Sequence, residues 1–314
     1  MKLFKFSIIG YGSMGHVHHK AIDEFEDIVL DSVLEVDSSK IKKIDKNIKV
    51  FSDFNTYLDY LDNEKIDGVI ISSPNIFHYE QAKELIKQKI PLLVEKPLVQ
   101  DQKDLETLIN LSIKNKSILR CGLIEIYNPI VTELKQIKIS DLKTVTFTRH
   151  SPRVSSDRNL GDVLLDLLLH DISLLYYLFN PEKIEIVGKN FLKHQGAIET
   201  SELLLLMNGK VSVFLTTSRE SQLKKRKIEI ICKNSVYSVD LIQKIIYITE
   251  NGKLKSNSKS FTEANINYRI EPLDRPETAK VQLKKFKENI ILGSIDKNHL
   301  KLVNDCHNFI FSLI

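Results

Sequence analysis

The sequence predicts an α/β chain of two domains: a doubly wound parallel sheet over residues 1–121, then an α+β domain with a largely antiparallel open sheet over 122–314. Three observations carry this. An apolar run over 3–9 breaks at the glycine turn Gly10-Tyr11-Gly12-Ser13-Met14-Gly15 and passes at once into a helical pattern bearing Val17, Ala21 and Ile22. Short apolar runs then alternate with helical patterns as far as residue 121, the order that builds a parallel sheet. Beyond Tyr127 the strand-like runs follow one another directly across tight turns such as Asn208-Gly209, the order that builds an antiparallel one.

Each element has its own signal. Residues 29–36 form a second apolar run ending at Asp37, and 48–51 a short third one; 57–61 falls in a helix. Residues 68–73 are continuously apolar until Ser73-Pro74-Asn75, so they read as a buried parallel strand stopped by a turn. A helix over 77–87 leads to a strand over 91–94 and the segment Glu95-Lys96-Pro97. Asp101 N-caps a helix to about Lys114, and 117–121 is the last strand of the series. In the second half, 129–137 and 163–179 read as helices. The runs 142–150, 183–189, 201–207, 210–218, 227–232, 236–241 and 245–249 read as strands. Asn251-Gly252 reads as a turn, 253–268 as a polar loop, and 276–292 and 298–313 as closing helices.

The 314 residues suffice for two cores, and 42% hydrophobic with 27% charged residues is ordinary soluble composition. The net charge of +4 is small and scattered as lysine, which fits a solvated surface better than a nucleic-acid footprint. Cys121, Cys232 and Cys306 make no metal or disulfide spacing, so a reduced, cytoplasmic protein is expected. Residues 1–9 are too short for a signal peptide, and the greasiest stretch, 163–179, is interrupted by Asp166, His170 and Asp171; neither leader nor membrane span is expected.

The chemistry clusters at predicted strand ends. Gly10 permits the strand-to-helix turn, Gly12 leaves no Cβ before a pyrophosphate, and Gly15 lets helix and strand pack, so Gly10 to Gly15 is a candidate dinucleotide cradle. Asp37, 22 residues past Gly15, is placed to accept ribose hydroxyls; the same position also suits an N-cap, and both can hold. A carboxylate there repels a 2′-phosphate and favours NAD, while Ser38, Ser39 and Lys40 leave NADP open. Ser73, Pro74, Asn75, His78, Glu95 and Lys96 should line the same edge. Lys96, kept extended by Pro97, could exchange a proton with a substrate hydroxyl; a surface lysine would look the same.

Asp166 and His170 are spaced i, i+4 on an apolar helix, with Asp162 a turn earlier, either as a proton-transfer pair or as a satisfied structural pair. His16, His18 and His19 lack an acidic or thiol partner nearby, which favours packing by the cofactor over metal. Arg149, His150, Arg153 and Arg158 suit phosphate recognition or a solvated basic loop.

Taken in order, Gly10 to His18, Ser73-Pro74-Asn75-Ile76-Phe77-His78, Glu95-Lys96-Pro97, Asp166-Leu167-Leu168-Leu169-His170-Asp171 and Glu271-Pro272-Leu273 resemble the glucose–fructose oxidoreductase / inositol dehydrogenase / MocA (Gfo/Idh/MocA) family. The resemblance implies a Rossmann domain and an NAD- or NADP-dependent dehydrogenase acting on a sugar or polyol hydroxyl. Lys96, Asp166 and His170 would surround the reacting carbon, with Lys96 or His170 taking the proton. It also implies a homodimer or homotetramer formed through the open face of the second sheet. Residues 122–129 with Pro152-Arg153 look like the branch acting on the 3-hydroxyl of UDP-linked amino sugars, which adds Asn128, Arg153 and Arg158 as substrate contacts. Gly122-Leu123 and Glu125-Ile126-Tyr127 depart from the Gly-His and Glu-Arg-Phe common there, and Gly161 stands alone for a double glycine. The competing readings are an NAD-dependent glycoside hydrolase and a non-catalytic NAD-binding sensor.

Overall fold

A computed structural model of the chain describes residues 2–153, 161–251, 265–270 and 277–314. The chain divides into two compact units, residues 1–127 with 276–314, and residues 128–275.

The first unit alternates strand and helix: β1 (Phe4–Ile9), α1 (Ser13–Asp23), β2 (Ile28–Leu34), α2 (Ser38–Ile41), β3 (Lys49–Phe51), α3 (Phe54–Asn63), β4 (Gly68–Ile71), α4 (His78–Lys87), β5 (Leu92–Glu95), α5 (Gln102–Asn115) and β6 (Leu119–Gly122). The strands are all parallel in the order β3-β2-β1-β4-β5-β6. β4 and β5 are buried along their whole length, as strands covered on both faces must be. Asp53 and Asp101 start α3 and α5 by accepting the backbone N–H of Thr56 and Asp104. The sheet order changes direction between β1 and β4, so the crevice at their carboxyl ends lies beside Gly10.

The second unit holds α6 (Pro129–Leu134), β7 (Leu142–His150), α7 (Leu169–Phe179), β8 (Ile184–His194), β9 (Ala197–Met207), β10 (Val211–Ser218), β11 (Lys225–Cys232), β12 (Ser235–Asp240), β13 (Ile245–Asn251) and β14 (Asn265–Ile270). These strands form one sheet, β14-β13-β12-β11-β7-β10-β9-β8, in which only the β7–β10 pair is parallel among the described residues. Val145, Phe147, Val213, Leu215, Ile228 and Ile230 bury one face of it. Arg149, on that same face, reaches Asp171 of α7.

Three elements differ from expectation. The helix over 163–179 opens with a π-helical turn, Leu164–Leu168, before α7. The β8–β9 hairpin runs well past the apolar runs that announce it. Its distal half mixes apolar residues such as Phe191 and Ile198 with polar ones and shows no clean alternation, and its turn rests on Gln195 and Gly196, both at positive φ. Residues 265–268, expected at the end of a loop, belong to β14 and pair with β13 instead; the alternation Ile266, Tyr268, Ile270 is the strand signal that was passed over. The Asn251-Gly252 turn lies partly outside the described residues, and Glu271-Pro272-Leu273 wholly so.

The chain then returns to the first unit as α8 (Thr278–Leu292) and α9 (Lys297–Phe311), which corrects the expectation that both helices belong to the second. Phe286 of α8 packs on Phe6, and a Cβ on Gly68 would meet the Phe286 ring at 3.0 Å. Arg120, buried at β6, donates to Asn289, Asp296 and the Tyr127 hydroxyl, and His299 of α9 accepts the Cys121 N–H at 3.0 Å. Its α8–α9 partners lie well over a hundred residues away along the chain, so no local pattern announces them.

Burial holds the imidazole of His299 down to about 3, helped by the Arg120 guanidinium, and burial holds that of His307 down to about 4, against an ordinary 6.5. The unfolded chain takes up both protons as pH falls through about 6.5, whereas the folded chain does so only near 3 and 4. Stability from these groups is therefore whole above about pH 6.5 and is lost as pH falls toward 4. The urea midpoint should fall from about pH 7 to about pH 5. In His307→Gln that slope should flatten by about one proton, or about 1.4 kcal/mol per pH unit.

Candidate active site

The glycine turn is built by exclusion. Gly10 has φ +87°, and a Cβ there would stand 2.5 Å from the Ser73 N; at Gly15 it would stand 2.4 Å from the Gly10 carbonyl oxygen. A Cβ on Gly12 would meet nothing within 4 Å. Gly12 is also the N-cap of α1, where no side chain bonds the free N–H groups and no acid occupies the first turn through Ser13 and Met14. An open glycine and unbonded amides at a helix start fit the pyrophosphate of a dinucleotide. Tyr11 is buried, and its hydroxyl bonds His19 Nδ1 at 2.5 Å.

Glu35, just past β2, is an acid that sequence reasoning did not single out. It is buried, and its carboxylate accepts the Tyr11 N–H at 2.7 Å and the Asp37 N–H at 2.9 Å. Asp37 caps α2; bonds from the Ser39 hydroxyl and N–H hold its carboxyl below the usual range. The signal was available: Glu35 stands 20 residues past Gly15 and closes the same apolar run. Lys40 lies 3.7 Å from Glu35 and 3.8 Å from Asp37.

Past β4, the Ser73 hydroxyl donates to Gln81, Pro74 opens a short 3₁₀ turn, and Asn75 Oδ1 accepts from Gln100. His78 is buried, with Nδ1 2.8 Å from the Pro97 carbonyl and Nε2 3.0 Å from that of Ser73. At the end of β5, Glu95 is buried against His18 Nε2 at 2.7 Å, and Lys96, just past it, is half-buried. The register Ile9↔Ile71 and Ile71↔Val94 sets Lys96 two strands from Gly10, roughly 10 Å across the sheet. Of the histidine cluster, His16 thus bonds the Gly12 carbonyl, His18 serves Glu95, and His19 serves Tyr11.

In the second unit Asp166 lies in the π-helical turn and His170 one turn on in α7, so the pair straddles a turn type that recurs at functional sites. Asp162 accepts the Ile198 N–H at 2.7 Å. Arg219, just past β10 and buried, was not foreseen. It lies 3.9 Å from Asp166 and 3.2 Å from buried Glu199, and it donates to the Gly161 carbonyl. Glu199 is also held by Arg153. Arg153 therefore pairs with a carboxylate while 41% of its side chain stays exposed. Arg149 is likewise spent on Asp171, at 2.9 Å and buried. Burial and Lys225 hold His150 below its usual range. Asn128 is buried, caps α6 and donates to the Leu241 carbonyl at 2.9 Å. Arg158 lies outside the described residues. Arg153, His194, Glu199, Arg219, Glu220 and Ser221 line a cavity of about 230 Å³.

Residues 4–123 match the oxidoreductase family with an NAD-binding Rossmann fold, and residues 135–238 match the GFO/IDH/MocA C-terminal domain. The chain is 25% identical over 190 residues to UDP-N-acetylglucosamine 3-dehydrogenase of Acidithiobacillus ferrooxidans, spanning 60% of each protein. It is 19% identical over 261 residues to myo-inositol 2-dehydrogenase of Thermotoga maritima, spanning 78% of each. Among solved structures, that 3-dehydrogenase superposes with a TM-score of 0.82 at 17% identity, covering 98% of this chain and 96% of that one. A 3-ketoreductase from Actinomadura kijaniata, in complex with NADP and TDP-benzene, superposes with a TM-score of 0.84 at 13% identity, covering 98% and 96%.

The glycine geometry separates binding from folding. Gly12→Val adds atoms where the fold has room, so its melting temperature should stay within about 2 °C of the parent chain. Its affinity for NADH, read by nicotinamide fluorescence, should fall at least about tenfold, because the added side chain fills the pyrophosphate position.

Proposed function

The chain belongs to the Gfo/Idh/MocA family of NAD-binding oxidoreductases, and from that premise we propose that it oxidises a secondary hydroxyl of a sugar, polyol or sugar nucleotide. One observation carries the reading: the Glu95-Lys96-Pro97 segment is fixed by buried bonds at the same sheet edge as the open Gly12 cradle. The dinucleotide, when bound, supplies the acceptor for the hydride. The residues of this chain manage the proton. As the carbon loses hydride and C–OH becomes C=O, the hydroxyl proton passes to Lys96 or His170, with Asp166 beside His170 on the same helical stretch. Arg219 lies 3.9 Å from the Asp166 carboxylate.

The preferred substrate in this reading is a UDP-linked amino sugar oxidised at its 3-hydroxyl, supported by the likeness to UDP-N-acetylglucosamine 3-dehydrogenase. The preferred cofactor is NAD. Glu35 and Asp37 together put two carboxylates at the tip of β2, where a 2′-phosphate would stand, and Lys40 is already engaged by both. The proposed assembly is a homodimer or homotetramer formed through the open sheet face. Phe214, Ile231 and Tyr247 stand exposed on that face, on one side by their strand register. No described helix is long and apolar enough to cross a membrane, and a cytoplasmic location is proposed from three buried, unbridged thiols.

The test is a panel of free sugars, inositols and UDP- or dTDP-linked sugars with NAD, followed by absorbance of the reduced nicotinamide. Turnover with UDP-N-acetylglucosamine is expected, and release of a leaving group with no net NADH would instead mark a glycoside hydrolase. Lys96→Ala should slow turnover at least about a hundredfold, and an unchanged rate would remove Lys96 from the chemistry. Glu35→Ala should narrow the ratio of NAD to NADP efficiency by at least about tenfold, one lost like-charge repulsion.

A further inference from the structure

Three buried imidazoles from three helices grip the segment that carries Lys96. His18 of α1 sets Nε2 2.7 Å from Glu95 Oε1. His78 of α4 sets Nδ1 2.8 Å from the Pro97 carbonyl oxygen. His307 of α9 sets Nε2 3.1 Å from the Leu98 N. All three rings are at most 1% exposed. The grips fall on the residue before Lys96, the residue after it and the one after that. They fix the chain on both sides of the lysine from three directions, while the segment itself belongs to no helix.

The His307 contact has a defined chemistry. Its Nδ1 lies 2.9 Å from the Val303 carbonyl one turn back in α9, and a carbonyl can only accept. The ring proton therefore sits on Nδ1, which leaves the Nε2 lone pair for the Leu98 N–H. Burial keeps the ring neutral well below about pH 7, so this acceptor persists at working pH. Leu98 is itself buried, so without His307 its N–H would face no water in exchange. On the other side of the segment, Gly122 leaves room for the Glu95 carboxylate, which a Cβ there would meet at 2.9 Å.

We propose that His307, in the last helix of the chain, is a positioning residue for Lys96, acting through the Leu98 amide as the third arm of a clasp completed by His18 and His78. The inference rests on the reading of Lys96 as the proton-handling lysine. Its consequence is local: losing the acceptor at His307 lets the Pro97-Leu98 backbone shift, and the ammonium two residues away changes surroundings and proton affinity.

The test reads Lys96 directly, with no substrate. Full-length protein is acylated with limiting acetic anhydride from about pH 7 to about pH 11, and the Lys96 peptide is quantified by mass spectrometry against exposed Lys210 in the same sample. In His307→Phe the Lys96 titration midpoint should move by at least about half a pH unit, or about threefold in free amine at fixed pH. His307→Gln, whose amide oxygen can stand near the Nε2 position, should return it to the parent value. Should His307→Phe not fold, His307→Asn takes its place, since its short amide reaches toward Nδ1 and offers Leu98 nothing. A folded Phe or Asn variant with the parent midpoint overturns the proposal, as does a Gln variant that behaves like Phe. A shifted midpoint in a protein that turns over no sugar in the panel upholds the clasp and removes the dehydrogenase reading instead.

Discussion

At the carboxyl edge of the parallel sheet, the loops after β1 and β4 meet backbone to backbone. Gly10 stands so close to Ser72 and Ser73 that no Cβ fits between them, and the Ser72 hydroxyl closes the contact by donating to the Gly10 carbonyl at 2.7 Å. The close approach governs the rest of that edge. It lets α1 begin without a side chain across its first amides. It puts the Ser73 carbonyl where His78 reaches it, and His78 in turn reaches Pro97. A chain of short contacts thus runs from the glycine turn to the residue after Lys96. Its first link is steric, the absence of a methyl group, and so tolerates no compromise by rotamer change.

The buried charges of both units gather at such strand ends. Glu35 and Glu95 lie past β2 and at the end of β5; Glu199 and Arg219 lie in β9 and past β10. A carboxylate in the interior is costly unless it is bonded, and each of these is: Glu35 by two backbone N–H groups, Glu95 by His18, Glu199 by two arginines. Well-packed leucine would serve the cores as well or better. Other buried charges, Arg120 on Asp296 and Arg149 on buried Asp171, are bonded within the protein in the same way.

The sequence made the parallel sheet legible because two-sided burial forces unbroken apolar runs, and every strand of the first unit could be placed within a few residues. The glycine cradle was visible from its spacing and its strand-to-helix context, while Lys96, Asp166 and His170 stood out only as a set, since each alone has a common structural reading. Glu35 was overlooked because a sequence does not show that its carboxylate accepts the Tyr11 and Asp37 N–H groups, while the cap made by Asp37 was legible from its place before α2. Arg153, Arg149 and Asn128 looked available because a sequence does not show partners. Their partners, Glu199, Asp171 and the Leu241 carbonyl, lie 22 to 113 residues away. The distal half of the β8–β9 hairpin was hidden for a related reason, since a ladder is held by backbone groups, which have no letter in the sequence. Strand β14, by contrast, did carry an alternation, Ile266, Tyr268, Ile270, that was passed over.

The return of the chain to its first unit has the same origin and a larger effect. The helices α8 and α9 carry ordinary amphipathic patterns that could dock on either sheet. What assigns them is a set of polar contacts across great sequence distance: Arg120 with Asn289, Asp296 and His299, and Leu98 with His307, 209 residues apart. Residues 1–127 can lay down the parallel sheet and the glycine turn from local βα units. They cannot satisfy the Leu98 and Cys121 amides, the buried Arg120 guanidinium or the apolar surface around Phe6 without α8 and α9. Such contacts close the longest loop in the protein, and their entropy cost is met only when the intervening unit is itself compact. The backbone around Lys96 is therefore held in part by α9, and a chain lacking α9 would leave the Leu98 and Cys121 amides without His307 and His299 as acceptors.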